Sequence, residues 1–188
     1  MTPPRLILAS RSPQRRAILE RLGIPFEVRV ADVEELDSGP PHEVAPENAK
    51  RKASDVAATE DTDALVLGVD TVVALGDRLY GKPSAAADAR DTLQALSGRA
   101  HVVIGGLCLI GRTGTRTAVT TTEVEFRALD GGLLDWYLRT GEWRERAGAY
   151  AIQGKGAALV ERIKGDYLNV VGLPLAALLE LEPELLRL

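Results

Sequence analysis

The sequence predicts a mixed α/β protein, of α/β or α+β type, on three observations. Short apolar runs that read as buried strands, Leu6-Ile7-Leu8-Ala9 and Ala64 to Val69, alternate with stretches of helical spacing. Two long segments, Ala100 to Ile110 and Thr115 to Phe126, are joined by the turn-forming Gly111-Arg112-Thr113-Gly114, and the second is rich in β-branched Thr and Val. A long hairpin among interleaved helices argues for a mixed sheet rather than a wholly parallel one.

The elements follow in order. The first strand stops at Ser10-Arg11-Ser12-Pro13. A helix then starts with Ser12 as cap and Pro13 at its first position, carries Ile18, Leu19 and Leu22 on one stripe, and is closed by Gly23. Phe26 to Val30 reads as a second strand. Asp32 to Pro46, acidic and proline-bearing, reads as a surface loop, and Glu47 to Ala58 as a helix. Ala64 to Val69 runs into the polar pair Asp70-Thr71, which predicts an interruption before Val72-Val73-Ala74-Leu75 resumes. Gly76-Asp77 marks a hairpin turn, and Gly81-Lys82-Pro83 ends the returning strand. Ser84 to Leu96 and Leu129 to Thr140 are predicted helices. Arg146 to Gly156 is glycine-rich, Ala157 to Ile163 reads as a strand, and Pro174 to Leu181 as a closing helix.

Composition narrows the function. The 188 residues, 45% hydrophobic and 27% charged, fit one large domain or two closely packed lobes. A net charge of -4 offers no broad basic face for nucleic acid, so phosphate chemistry would need a local cluster. The single cysteine, Cys108, excludes an intramolecular disulfide and a cysteine-rich zinc site, and points to a reducing, cytoplasmic compartment. The apolar run after Met1-Thr2-Pro3-Pro4-Arg5 is too short for a leader peptide or a membrane span, so a soluble, unexported protein is expected. His42 and His101 lack paired metal spacing and no serine sits in a nucleophile elbow, which sets aside zinc hydrolysis and a serine triad.

Four groups of residues could carry chemistry. Ser10-Arg11-Ser12-Pro13-Gln14-Arg15-Arg16 lies where a strand gives way to a helix, a place where free N–H groups, hydroxyls and guanidinium groups suit a phosphate; the alternative is a Ser-Pro cap with a solvated basic turn. Basic residues oppose the helix dipole at that end, which favours an anion partner. Asp70 sits in an apolar run, where burying a carboxylate costs several kcal/mol unless it is paired, hydrogen-bonded or metal-bound. It could orient or deprotonate a water, or hold Mg²⁺ or Mn²⁺; the alternative is an Asp in a tight bend satisfied by backbone amides. Lys52 reads first as part of a solvated helix face, whereas Lys82, locked between Gly81 and Pro83, has a defined direction and is the better candidate for charge neutralisation. Ala147 to Gly156 and Gly165 to Pro174 let backbone approach a flat ligand, and Gln153 offers a donor and acceptor for a base edge. Glu34 and Glu35 add acids that read either as exposed charge or as metal ligands.

Taken together, Leu8-Ala9-Ser10-x-Ser12-Pro13-x-Arg15, Asn48-Ala49-x-x-Lys52-Ala53, Gly68-x-Asp70-Thr71, Gly81-Lys82-Pro83, Ala147-Gly148-Ala149-Tyr150-x-Ile152-Gln153-Gly154 and Asn169-Val170-Val171-Gly172-Leu173-Pro174 resemble the Maf family of nucleotide pyrophosphatases over nearly the whole chain. The resemblance implies a single family domain over 1–188: an elongated mixed sheet flanked by helices, two lobes with a central cleft, related to inosine triphosphate pyrophosphatases. It implies hydrolysis of nucleoside triphosphates with Asp70 as catalytic acid or base. Ser10, Gln14, Arg15, Lys52, Thr71, Lys82 and Gln153 would face the substrate, and Glu35 with Asp70 would hold a divalent Mg²⁺ or Mn²⁺. Thr71 and Gln153 are similar to members that prefer dTTP and UTP, although Gln14 stands where those members usually carry an arginine. The expected partners are a nucleoside triphosphate and, by likeness alone, a second copy in a homodimer, with no nucleic acid and no membrane. A nucleotide-binding regulator of cell division that does not turn over is the alternative; the acid at position 70 argues against it.

Overall fold

The computed structural model describes residues 5–60 and 63–186, so the expectation about Met1 to Pro4 lies outside the described residues. Seven strands form one mixed sheet: β1 (Arg5–Leu8), β2 (Phe26–Val28), β3 (Ala64–Leu75), β4 (Arg78–Leu79), β5 (Ala100–Gly111), β6 (Gly114–Phe126) and β7 (Val160–Lys164). Their spatial order is β2-β1-β3-β5-β6-β7, with β4 beside β3. β1 pairs in parallel with β2 and β3, and the remaining pairs are antiparallel, as the predicted hairpin requires. The helices are α1 (Pro13–Arg21), α2 (Pro41–Ala57), α3 (Ala86–Leu96), α4 (Gly131–Thr140), α5 (Tyr167–Val171) and α6 (Leu175–Leu181).

The long strands β3, β5 and β6 run from one hydrophobic core into another. At one end Val73, Val103, Val124 and Phe126 pack with Leu93, Tyr137, Tyr150 and Leu159. At the other end the alternation of a strand divides the side chains between two faces: Leu65, Leu67 and Val69 join Leu6, Leu19 and Leu178, while Ala64 and Val66 join Ala49, Ala53 and Cys108. The two lobes expected from the resemblance correspond to these two ends. The middle of β3, around Asp70, lies between them.

Three expectations are corrected. β3 is one continuous strand, and Asp70-Thr71 pair in register with Gly106 and Gly105 of β5, so the polar pair does not break it. The segment up to Pro46 is not all loop, because α2 begins at Pro41, where a missing N–H costs nothing, and Pro46 lies inside it. The hydrogen bond lost at Pro46 is offset by the apolar face Val44, Ala45, Ala49, Ala53 and Val56, which is fully buried. That same face carries Lys52, so it is not on a solvated side. α5, an element additional to those the sequence predicts, follows an Asp166 cap whose carboxylate accepts from Leu168 N–H at 2.8 Å. Smaller differences concern element ends: β7 starts at Val160 after a 3-10 turn over Lys155–Leu159, and α3 starts at Ala86, with Asp88 accepting from the Ala85 N–H.

α2 lies on the sheet because the strands beneath it carry no side chains where it crosses. A Cβ on Gly68 would sit 2.0 Å from the Ala49 carbonyl oxygen, and one on Gly106 2.4 Å from the Ala45 carbonyl. Both contacts are with backbone and cannot be relieved by rotating a side chain. In an ordinary strand an alanine would gain about 0.5–1 kcal/mol over glycine. Here Gly68→Ala is expected to destabilise by about 3 kcal/mol through overpacking, read as a lower urea midpoint.

His101 is buried beside Phe126 and Tyr150, its Nε2 3.0 Å from the Tyr150 hydroxyl, and burial pushes its pKa down to about 4. The unfolded chain binds a proton at about pH 6.5 that the native state refuses until about 4, so the stability present above pH 6.5 is lost as pH falls through that window. The loss is expected to reach about 3 kcal/mol, and His101→Phe should flatten that part of the stability profile measured by denaturation from pH 4 to 7.

Candidate active site

The geometry begins at a gap beside β3. Its first residues, Ala64 to Leu67, are flanked by β1, which leaves after Ala9 N–H donates to the Leu67 carbonyl at 2.8 Å. Its last residues are flanked by β4, which returns in the opposite direction and leaves after Tyr80 N–H donates to the Val73 carbonyl at 2.8 Å. Between those two bonds no described strand covers this edge, where the backbone groups of Val69 and Thr71 point outward. The loops that follow β1 and β4 approach the gap from opposite ends and carry Ser10 and Lys82.

On the α2 face of this gap, Asp70 is fixed through both carboxylate oxygens. Lys52 Nζ donates to Oδ1 at 2.7 Å and Asn48 Nδ2 to Oδ2 at 3.1 Å. All three residues are buried, at 6%, 7% and 2% exposure for Asp70, Lys52 and Asn48, which removes the pair from solvent screening. Lys52 also reaches Glu35 at 3.0 Å, so one ammonium bridges two carboxylates, one buried and one half-exposed. Asn48 holds the loop bearing Glu35 as well: its Oδ1 accepts from Leu36 N–H at 2.7 Å and its Nδ2 donates to the Leu36 carbonyl at 3.0 Å. Lys52 and Asn48 are one helical turn apart, which puts both on the face that the glycines allow against β3.

On the opposite face, Thr71 meets Arg15 of α1. The guanidinium donates to the Gly172 carbonyl at 2.9 Å, to Ser10 Oγ at 2.8 Å and to Thr71 Oγ1 at 3.2 Å. Every direct partner is neutral. Arg15 is 8% exposed, and burial pulls its pKa below the usual arginine value, opposed by the charges of Asp70 and Glu35. A buried cation with neutral partners alone keeps a positive charge that an anion could balance. Gly172 ends α5 at φ 131°, a conformation that favours glycine, and so presents its carbonyl to Arg15. α5 is anchored by Asn169, whose Nδ2 donates to the Val103 carbonyl and to Thr122 Oγ1, both at 3.0 Å, in space left by Gly105.

The structure thus brings Glu35, Lys52 and Asp70 into one cluster and Ser10, Arg15 and Thr71 into another. Gln14 accepts from Ser12 Oγ at 3.1 Å beside the second cluster. Lys82 is exposed and pairs with Glu145 at 3.8 Å, and Gln153 is exposed on the neighbouring loop, so neither touches the two clusters. Lys52 is the buried partner of Asp70 rather than part of a solvated helix face. Asn48 is a site residue outside the sequence candidates, and its one signal in the sequence is an asparagine inside a helix, one turn before Lys52. Two open hollows, one between α3 and α4 and one beside His42, Lys50 and Thr117, contain none of these residues. Among the described residues no group of three His, Cys, Asp or Glu could hold a metal, and no helix is long and apolar enough to cross a membrane.

Comparison with known proteins supplies independent information. A family model described as "Maf-like protein" matches residues 5–184. The chain is 46% identical over 181 residues to a dTTP/UTP pyrophosphatase of Deinococcus radiodurans, covering 96% of this chain and 92% of the relative. It is 43% identical over 181 residues to a dTTP/UTP pyrophosphatase of Pyrococcus furiosus, covering 94% and 93%. A crystal structure titled nucleoside-triphosphatase / dITP/XTP pyrophosphatase, from Mycobacterium abscessus, aligns with TM-score 0.43 at 18% identity, over 66% of this chain and 75% of the other, too slight a likeness to bear on the site.

Asn48→Ala removes a donor from Asp70 and both bonds to Leu36. It is expected to cost about 1–3 kcal/mol and to abolish hydrogen-exchange protection at the Leu36 amide, with unfolding and exchange measured on the same sample.

Proposed function

The chain belongs to the Maf family, and from that premise we propose that it hydrolyses a nucleoside triphosphate to the nucleoside monophosphate and pyrophosphate, with dTTP, UTP or modified pyrimidine triphosphates as substrates. The names of its relatives support the class of reaction and the choice of base. One structural observation carries the assignment to this site: a carboxylate oriented by Lys52 and Asn48 and a guanidinium with only neutral direct partners lie on opposite faces of β3, at a gap in its edge. A polyphosphate threaded through that gap meets the acid on one side and the cation on the other.

In this reading Asp70 takes the proton of a water that attacks the α-phosphorus. The new P–O bond forms as the bond to the bridging oxygen breaks, and pyrophosphate leaves. Lys52 and Asn48 hold the carboxylate in one orientation, which places the base before the substrate arrives. Arg15, Ser10, Thr71 and Gln14 bind phosphate oxygens, Lys82 neutralises the departing pyrophosphate, and Gln153 reads the base edge. The donor set also fits a magnesium-type cation, which takes one or two carboxylates and shares the rest of its shell with phosphates and water. Glu35 and Asp70 would hold that cation, and its chemistry would be neutralisation of phosphate charge. The lone buried cysteine supports a cytoplasmic setting. No observation favours a regulator without turnover.

With Mg²⁺ or Mn²⁺ and a panel of triphosphates, the protein is expected to release monophosphate and pyrophosphate in equal amounts, fastest from dTTP and UTP. Chelation should abolish turnover and added Mg²⁺ restore it. Asp70→Asn should lower kcat on the order of 10³-fold while the protein stays folded. Inactivity across the panel, or full activity in that variant, would refute the assignment.

A further inference from the structure

Beyond the residues already placed, the segment that joins α4 to Tyr150 is held in an unusual backbone. Glu145 and Ala149, neither a glycine, take φ of 57° and 62°, and Gly148 between them takes 70°. Left-handed backbone at non-glycine positions persists when surrounding contacts impose it, and it gathers at binding sites. The contacts that impose it here are on β3 and on Tyr80, just after β4. Gly148 N–H donates to the Tyr80 carbonyl at 2.9 Å, and a Cβ on Gly148 would lie 3.0 Å from both methyl carbons of Val73. Val73 is two residues along β3 from Thr71, so the alternation of the strand puts this segment on the same face as Thr71 and Arg15. Glu145 pairs with Lys82, which ties the segment to the loop entering the gap from the β4 end.

The residue carried at the centre of this strained segment is Arg146. Its Nε is shielded from solvent yet has no hydrogen-bond partner, and among the described residues Arg146 makes no ion pair. Arginine nitrogens buried in a fold are ordinarily satisfied by carbonyls or carboxylates, as those of Arg15 are. A left-handed backbone on the Thr71 face of β3 thus carries an arginine whose Nε has no hydrogen-bond partner and whose charge acts on the Tyr137 hydroxyl.

Resting on the nucleotide pyrophosphatase reading above, we infer that Arg146 is a further substrate-binding residue, taking phosphate oxygens of the triphosphate from the lobe opposite Arg15. Arg15 and Arg146 then grip the polyphosphate from the two ends of the gap, with Lys82 beside Arg146. A planar fork suits two oxygens of one phosphate, which a lysine can attract but not bridge.

The test is steady-state kinetics of Arg146→Met and Arg146→Lys with dTTP and Mg²⁺, together with product inhibition by inorganic pyrophosphate and thermal melts. Arg146→Met is expected to raise both KM and the inhibition constant of pyrophosphate by about tenfold or more, and Arg146→Lys to recover part of that loss. A merely structural arginine would lower the melting temperature of Arg146→Met and leave KM and pyrophosphate inhibition of the folded fraction at wild-type values, and that result overturns the inference. Should Arg146→Met fail to fold, phenylglyoxal modification of the wild-type protein decides the matter: pyrophosphate with Mg²⁺ should protect Arg146, and equal labelling with and without it contradicts the assignment. Inactivity of the wild-type protein on every triphosphate removes the underlying reading, whereas wild-type activity with unaltered Arg146→Met constants removes this inference alone.

Discussion

The close approach of α2 to the sheet governs the rest of the arrangement. Two backbones meet at Gly68 and Gly106 with no room for a methyl group, and the small residues Ala45, Ala49 and Ala53 line the helix above them. At that separation the longer side chains on the same helical face have one place to go. Lys52 and Asn48 reach down to Asp70, and Asn48 reaches back to the loop that carries Glu35. A helix one methyl group further out would leave a carboxylate buried in an apolar strand with nothing to pair it, a cost of several kcal/mol. The packing of small residues and the presence of a buried acid are thus one design decision, written in two places in the chain.

The gap in the edge of β3 is the second consequence of topology. A parallel neighbour and an antiparallel neighbour share the same edge, and neither can continue past the middle, so two loops converge where the strand's own backbone is left uncovered. Strand alternation then sorts the side chains: Asp70 faces α2, and Thr71 faces α1 and α5. The two clusters have opposite electrostatic character. The acid has its cation in contact, whereas Arg15 has neutral partners throughout and feels Asp70 and Glu35 at longer range. This asymmetry sets the Arg15 cluster apart from the buried ion pair on the other face.

Much of this was legible in the residues. The β5–β6 hairpin followed from β-branched residues on either side of a Gly-bounded turn, and the mixed sheet followed from the hairpin. Asp70 was singled out by the cost of burying a carboxylate, which needs no knowledge of the fold. What could not be read was which way each residue faces a distant element. Pro46 looked like a loop residue because local propensity disfavours it inside a helix, and the tertiary burial of Val44 and Ala45 overrode that preference. Lys52 looked solvated because it stands in a run of charges, whereas Lys82 looked fixed because glycine and proline flank it. The fold buries Lys52 and leaves Lys82 at the surface. Asp70-Thr71 looked like a break because polar residues seldom sit mid-strand in a core, yet a strand accommodates them when each face supplies its own partners. Asn48 and Gly172 act through long-range hydrogen bonds that no local pattern announces.

In the proposed mechanism one polyphosphate occupies the gap and touches both faces of β3. A crystal structure with the non-hydrolysable α,β-imido analogue of dUTP and Mg²⁺ tests it most directly. The α-phosphate is expected at the uncovered edge of β3, with Arg15 on one side and the Asp70–Glu35 pair on the other. A nucleotide lodged in the hollow beside His42 and Thr117, or one held by Arg15 with Asp70 still sealed beneath Lys52, would contradict it.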